Sequence, residues 1–224
     1  LITCFNILII YGMGGIMTDK LVQSATQNIV KDSFIDALYN AVSHAEMSDA
    51  HRTKVLNQPH PYIRTSSAPP KGSSAYGPLQ MTAGSGSMIA SILNDPYHRL
   101  HKYKGGFNKA EIDYMHKFLA QGQKFLDYGK EPNKEGYHVK YDYSSKVPGS
   151  GQGDLSSLED RALYDSIGKK ILDYEFHDQA KGDTTLFLKN WKMGRNKTMD
   201  DFNEWSQKDA AQQYIQRFQS NLAQ

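Results

Sequence analysis

The chain has 224 residues, 39% hydrophobic and 22% charged, with a formal net charge of +2 and a mean hydropathy of -0.62. That length suits one domain or a domain with an appendage, and the polar balance argues for a soluble protein without stable membrane insertion. So small a net charge says nothing of partners, and the single cysteine, Cys4, excludes an intramolecular disulfide framework.

Residues 1–16, LITCFNILIIYGMGGI, are mostly apolar and do not begin with Met. The apolar run is too short to cross a bilayer and lacks the basic start of a signal peptide. They are read as a disordered or non-native extension before a natural start at Met17, the rival being a truncated signal or anchor segment. Residues 17–224 are read as a single catalytic domain. Thr18 is a plausible N-cap. Apolar residues then recur at Leu21, Val22, Ala25, Ile29, Val30, Phe34, Ala37, Leu38, Ala41, Val42 and Ala45, with no Gly or Pro between. The period is helical, and one long helix is expected to end at about Glu46.

The next stretch changes character. Pro59, Pro61, Pro69 and Pro70 break any helix. Tyr62-Ile63-Arg64-Thr65 has the composition of a short strand, so a small hairpin or sheet is expected here. Gly77-Pro78 turns the chain, and Leu79 to Leu93 reads as a short helix broken near Gly84-Ser85-Gly86. A helix over 108–128 follows, capped by Asn108, with Ile112, Met115, Phe118, Leu119, Phe125 and Leu126 on its apolar face. Residues 129–153 are rich in Gly, Pro and Ser and read as an extended insertion. Helices are then expected at 158–178, at 184–194, and from Met199 or Asp209 to Asn221. The fold class expected is mainly α with one small β region.

Three features bear on chemistry. Glu46 ends a helix beside the core-type positions Ala41, Val42 and Ala45. A carboxyl at the rim of an apolar core is partly desolvated, which favours the protonated form a general acid needs. Taken alone, it is better read as an ordinary helix-end glutamate. Second, from Ala50 to Asn94 there is no Asp or Glu, while Arg52, Lys54, Arg64 and Lys71 fall there. The surface near residues 46–94 should therefore be neutral to basic. Third, Ser73, Ser74, Tyr76, Gln80 and Thr82, with Tyr62 upstream, offer the neutral hydrogen-bonding and aromatic groups that suit sugar hydroxyls and amides.

Ser74-Ala75-Tyr76-Gly77-Pro78-Leu79-Gln80, 34 residues after a helix-ending Glu46 at its last position, resembles the lysozyme-like lytic transglycosylase superfamily, which includes soluble lytic transglycosylases and goose-type lysozyme-like enzymes. There a helix-ending catalytic Glu is followed by an Ala/Gly-x-Gly-x-x-Gln motif. The resemblance implies a lysozyme-like α+β fold, with Glu46 as the acid and Ser74, Tyr76, Gly77, Gln80 and Tyr62 along the glycan groove. The family's late Tyr-Asn-x-Gly motif is replaced here by Asn190-Trp191-Lys192-Met193-Gly194, so Trp191 is expected to cover Glu46 or stack on a sugar. The resemblance covers residues 30–95 well and 158–195 loosely.

The resemblance implies cleavage of the MurNAc–GlcNAc bond of bacterial peptidoglycan. Most glycosidases use two carboxylates. The acid-free stretch leaves only Asp49 close by as a second acid, and Asp95, Glu111 and Asp113 as more distant ones. A single Glu acting as acid and then base, giving 1,6-anhydro products, is therefore preferred. A muramidase or phage endolysin, or a non-catalytic glycan-binding virion protein, is the alternative. The expected partner is the peptidoglycan glycan strand, at the periplasmic side of the bacterial cell wall, met by a monomer. A phage particle or an infected host would be the source. The basic residues are few and follow no nucleic-acid-binding motif. The eight histidines are scattered, so no metal and no cofactor is expected.

Overall fold

A computed structural model describes residues 33–47, 74–128, 155 and 157–223. The chain divides into two compact units, Leu1–Phe34 and Ile35–Gln224, and the account below concerns the second. The N-terminal extension, the expected helix before residue 33, the β-type segment at 62–65, the 129–153 insertion, Asp49 and Tyr62 lie outside the described residues.

Helix α1 runs to Glu46 over 33–46. Its apolar stripe forms the centre of the core: Leu38, Ala41 and Val42 are fully buried, and Ala45 nearly so. Helix α2 is Met88–Asn94, capped by the Ser87 hydroxyl accepting from the Ala90 N–H. Two short 3-10 turns, Arg99–His101 and Tyr103–Gly105, lead to α3, Lys109–Tyr128. Asn108 and Glu111 cap α3 reciprocally, each side chain accepting from the other's backbone N–H. Helix α4, Leu158–Asp173, starts on Ser157 and continues into a π-helical segment, Tyr174–Gln179.

Helix α5 is Thr184–Met193, started by Asp183 and stopped by Gly194 at φ 89°. Helix α6 is Met199–Ser206, opened by a Thr198–Asp201 capping box, and α7 is Asp209–Leu222. The expectation of one last helix from either Met199 or Asp209 resolves into two, because Lys208 between them is extended. Helix α3 packs on α2 and α4, the π segment on α5, and α6 on both α5 and α7. Helix α1 meets α4 through the Tyr39 hydroxyl on Asp165 and the Lys169–Asp36 ion pair. Gly168 permits close approach there: a Cβ on it would lie 2.5 Å from Leu79 Cδ1 and 3.3 Å from Tyr39 Cε2.

The expected mainly helical class holds. The small β region is not seen: among the described residues there is no strand, only an isolated antiparallel bridge between Tyr76 and Met81. The β-type segment expected at 62–65 lies outside those residues, whereas the helix expected from Leu79 is corrected. Residues 77–80 form a turn instead, with Gly77 at φ 68° and Gln80 at φ 52°. Left-handed backbone cannot continue a right-handed helix, so helix begins only at Met88. Among the described residues, no helix is long and apolar enough to cross a membrane.

Candidate functional site

Glu46 ends α1 with its side chain 12% exposed. Three donors converge on the carboxylate. Trp191 Nε1 donates to Oε1 at 3.1 Å and the Tyr214 hydroxyl to the same oxygen at 2.8 Å. Lys192 Nζ lies 3.1 Å from Oε2 and 4.5 Å from the centre of the Tyr214 ring. Trp191 is itself fixed by stacking on Phe187, whose ring centre is 6.1 Å away at 21°. Burial beside Glu46 pushes the Tyr214 hydroxyl far above its ordinary range, so it stays a donor.

The facing wall comes from the loop before α2. A cleft of about 380 Å³ is lined by Glu46, Trp191 and Lys192 on one side and by Gln80, Thr82 and Met88 on the other. Gln80 and Trp191 therefore share one groove with Glu46, 34 and 145 residues away in sequence. Ser87 and Asn190 also line it, so neutral amide and hydroxyl groups share its polar surface with the charged Glu46, Glu175 and Lys192. A second compartment of about 370 Å³ shares Gly86, Ser87, Met88, Glu175 and Asn190, and extends to His98, Arg195 and Asn196. Burial, and then Arg195, lower the His98 pKa, which favours a neutral imidazole there.

The loop is shaped from behind by α4. The Tyr164 hydroxyl donates to the Tyr76 carbonyl at 2.7 Å and accepts from the Leu79 N–H at 3.1 Å. A Cβ on Gly77 would sit 2.6 Å from Tyr164 Cζ. Glycine is required there by both the positive φ and this close approach. Gln80 bears a positive φ without being glycine, and its side chain steadies the turn by donating from Nε2 to the Gly77 carbonyl at 2.8 Å. A non-glycine residue held in that region costs on the order of 1–2 kcal/mol and tends to mark functional sites.

The residues expected to line the groove thus separate. Gln80 and Trp191 line the cleft with Glu46. Ser74 lies behind the wall, 4% exposed, its hydroxyl accepting from the Ala83 N–H. Tyr76 is fully buried and donates its hydroxyl to the Leu155 carbonyl at 2.9 Å. Gly77 is buried against Tyr164. These three build the loop that presents Gln80; none of them lines the cleft. Tyr62 and Asp49 lie outside the described residues.

A second carboxylate does line the cleft. Glu175 belongs to the π segment, is 2% exposed and borders both compartments. Arg195 Nη2 pairs with Oε1, and Nε donates to Oε2 at 3.4 Å. Burial raises the Glu175 pKa, and Arg195 offsets this only in part. The loop carrying Arg195 is tied down in turn by the buried Lys189, which donates to the Arg195 and Lys197 carbonyls at 3.3 and 2.8 Å. The more distant acids considered from sequence are elsewhere. Asp95 caps an exposed turn, Glu111 is buried against Lys170 and Ser166, and Asp113 pairs with Lys109 on an exposed helix face.

Sequence reasoning missed Glu175, Tyr214 and Lys192. A glutamate between buried Tyr174 and Phe176, or a tyrosine on the stripe Ala211, Tyr214, Phe218, is a usable signal, because a buried polar atom needs a partner. Among the described residues, no group of three or more His, Cys, Asp or Glu could hold a metal ion. No protein-family model, curated protein or solved structure matches the chain.

Proposed function

We propose that the chain is a lytic transglycosylase of lysozyme-like fold that cleaves the MurNAc–GlcNAc bond of peptidoglycan, with Glu46 as acid and then base. The observation that carries this is the meeting of Glu46, Gln80 and Trp191 in one cleft. Gln80, Thr82, Ser87 and Asn190 along it, with Met88 as an apolar face, fit the hydroxyls, amides and ring faces of a glycan. In the acid step the Glu46 proton passes to the glycosidic oxygen as the C1–O bond breaks. Oε1 already accepts from Trp191 and Tyr214, which leaves Oε2 to carry that proton, with Lys192 giving way to substrate. The substrate's N-acetyl group stabilises the cationic C1. The Glu46 carboxylate then takes the proton of the muramyl 6-hydroxyl as O6 bonds to C1, and the 1,6-anhydro ring restores the protonated acid. The place of action under this proposal is the bacterial cell wall.

Glu175 favours a second reading, a hydrolase, since two-carboxylate glycosidases place both acids along one cleft. Energetics count against it. Both Glu175 oxygens are engaged by the half-exposed Arg195, and leaving a carboxylate at 2% exposure unpaired costs about 1–3 kcal/mol. Digestion of purified peptidoglycan followed by mass spectrometry separates the readings. Soluble fragments with 1,6-anhydromuramyl ends are expected. Reducing muramyl ends would shift the assignment to a hydrolase using Glu175, and no soluble fragments would leave a glycan-binding module.

A further inference from the structure

The C-terminal helix reaches the end of α1 at three points. Tyr214 and Arg217 are three residues apart and so share one face of α7. The Tyr214 hydroxyl donates to Glu46 Oε1 at 2.8 Å. Arg217 Nε donates to the His44 carbonyl at 3.2 Å, and Nη2 to the Ala45 carbonyl at 3.1 Å. These are the two residues immediately before Glu46. The last carbonyls of a helix have no partner inside it, and a cation is favoured at that end by the helix dipole.

Arg217 therefore holds the main chain from which Glu46 projects, while Tyr214 holds the side chain. The platform behind them is firm. Tyr214 is 4% exposed and Phe218 fully buried. Phe218 packs on Phe187 at 6.0 Å, and Phe187 stacks on Trp191. One aromatic column thus links α7 to Trp191, a second donor on Glu46. Trp205 of α6 closes the far side of Tyr214, edge-on at 6.0 Å.

We propose that α7 is a positioning element for Glu46, in which Arg217 fixes the helix end and Tyr214 fixes the carboxylate. The inference rests on the reading of Glu46 as the reacting acid, but the geometry it asserts can be tested without turnover. A guanidinium bonded to two carbonyls is geometrically demanding, and a lysine at that position reaches as a point charge only. A loss of about an ångström in the placement of a reacting group can cost on the order of a hundredfold in rate.

The test uses the full chain with Arg217→Met, Arg217→Lys and Tyr214→Phe. The last two retain most of the packing and keep the test available if Arg217→Met folds poorly. Two readouts are taken: kcat and KM on a soluble peptidoglycan fragment, and the carbon-13 signal of the Glu46 side-chain carboxyl. Arg217→Met is expected to lower kcat by about ten- to a hundredfold with KM within about twofold. Arg217→Lys should recover part of that loss, and Tyr214→Phe should lower kcat by about tenfold. The Glu46 carboxyl signal should move in Arg217→Met and Tyr214→Phe. Unchanged kcat together with an unmoved signal in the folded variants would overturn the proposal. Should the chain lack activity altogether, a moved signal would still establish positioning while the catalytic reading of Glu46 failed.

Discussion

Glu46 and Glu175 border the same cleft and are restrained by different means. Glu46 takes single bonds from three side chains on two helices, two of the donors uncharged, and its side chain keeps 12% exposure. Glu175 gives both oxygens to one guanidinium at 2% exposure, and Lys189 anchors the loop that supplies it. Availability for chemistry follows from this contrast. A carboxylate held by separable bonds can exchange one donor for a substrate atom. A buried carboxylate locked to a guanidinium must first give up that ion pair.

Removing each cation tests the contrast most strongly. Arg195→Met should lower stability by about 1–3 kcal/mol, because it strands the buried Glu175 although Arg195 itself is half-exposed. Lys192→Met should cost about 1 kcal/mol or less, because Glu46 keeps Trp191 and Tyr214 and the lysine is 33% exposed. Chemical denaturation of both variants checks this; equal losses would erase the distinction.

Acidity gives a second test, with Glu111 as the reference. Burial raises the Glu111 pKa, but hydrogen bonds from Lys170, Ser166 and the Asn108 N–H outweigh it and leave the pKa lowered. Burial leaves the Glu175 pKa raised, since Arg195 compensates only in part and Asp178 adds repulsion. The linkage signs are opposite. Glu111 contributes stability that is present above about pH 4.5 and lost as pH falls through its lower folded value. Glu175 contributes stability that is present below about pH 4.5 and lost as pH rises through its higher folded value. Stability profiles of Glu111→Gln and Glu175→Gln against the parent chain should therefore diverge in opposite directions across that point. Parallel profiles would contradict the assignment.

Gln80→Gly is the smallest test in stability. Relief of the positive φ is offset by lost chain stiffness and by loss of the bond to the Gly77 carbonyl, so the fold should stay within about 1 kcal/mol of the parent. Activity should nonetheless fall, because the amide leaves the cleft.

The helices at 109–128, 158–173 and 184–193 were legible because each repeats its apolar residues at helical spacing behind a recognisable cap. Asn108 caps where the sequence places it, and Ser157 and Asp183 open the helices expected from 158 and 184. The turn at Gly77-Pro78 was read, but its continuation through Gln80 was not, since that conformation is imposed by Tyr164 from a helix more than eighty residues on. That same dependence explains Tyr76. Its ring looked like a groove residue beside a glycine turn, but it fills the space between Phe118 and Tyr164. Glu175 was hidden for a local reason. The π-helical segment departs from the 3.6-residue period by which a helix face is read from sequence. Tyr214 and Arg217 lie 168 and 173 residues from their partners at the end of α1, a separation no local pattern encodes.

The central claim is that Glu46 carries the proton. Parent chain and Glu46→Gln, both shown to be folded by circular dichroism, are incubated with purified peptidoglycan, and released muropeptides are quantified by mass spectrometry. The parent is expected to release 1,6-anhydromuramyl fragments, and Glu46→Gln at least about a thousandfold less. Fragment release by Glu46→Gln at a rate near the parent's would contradict it.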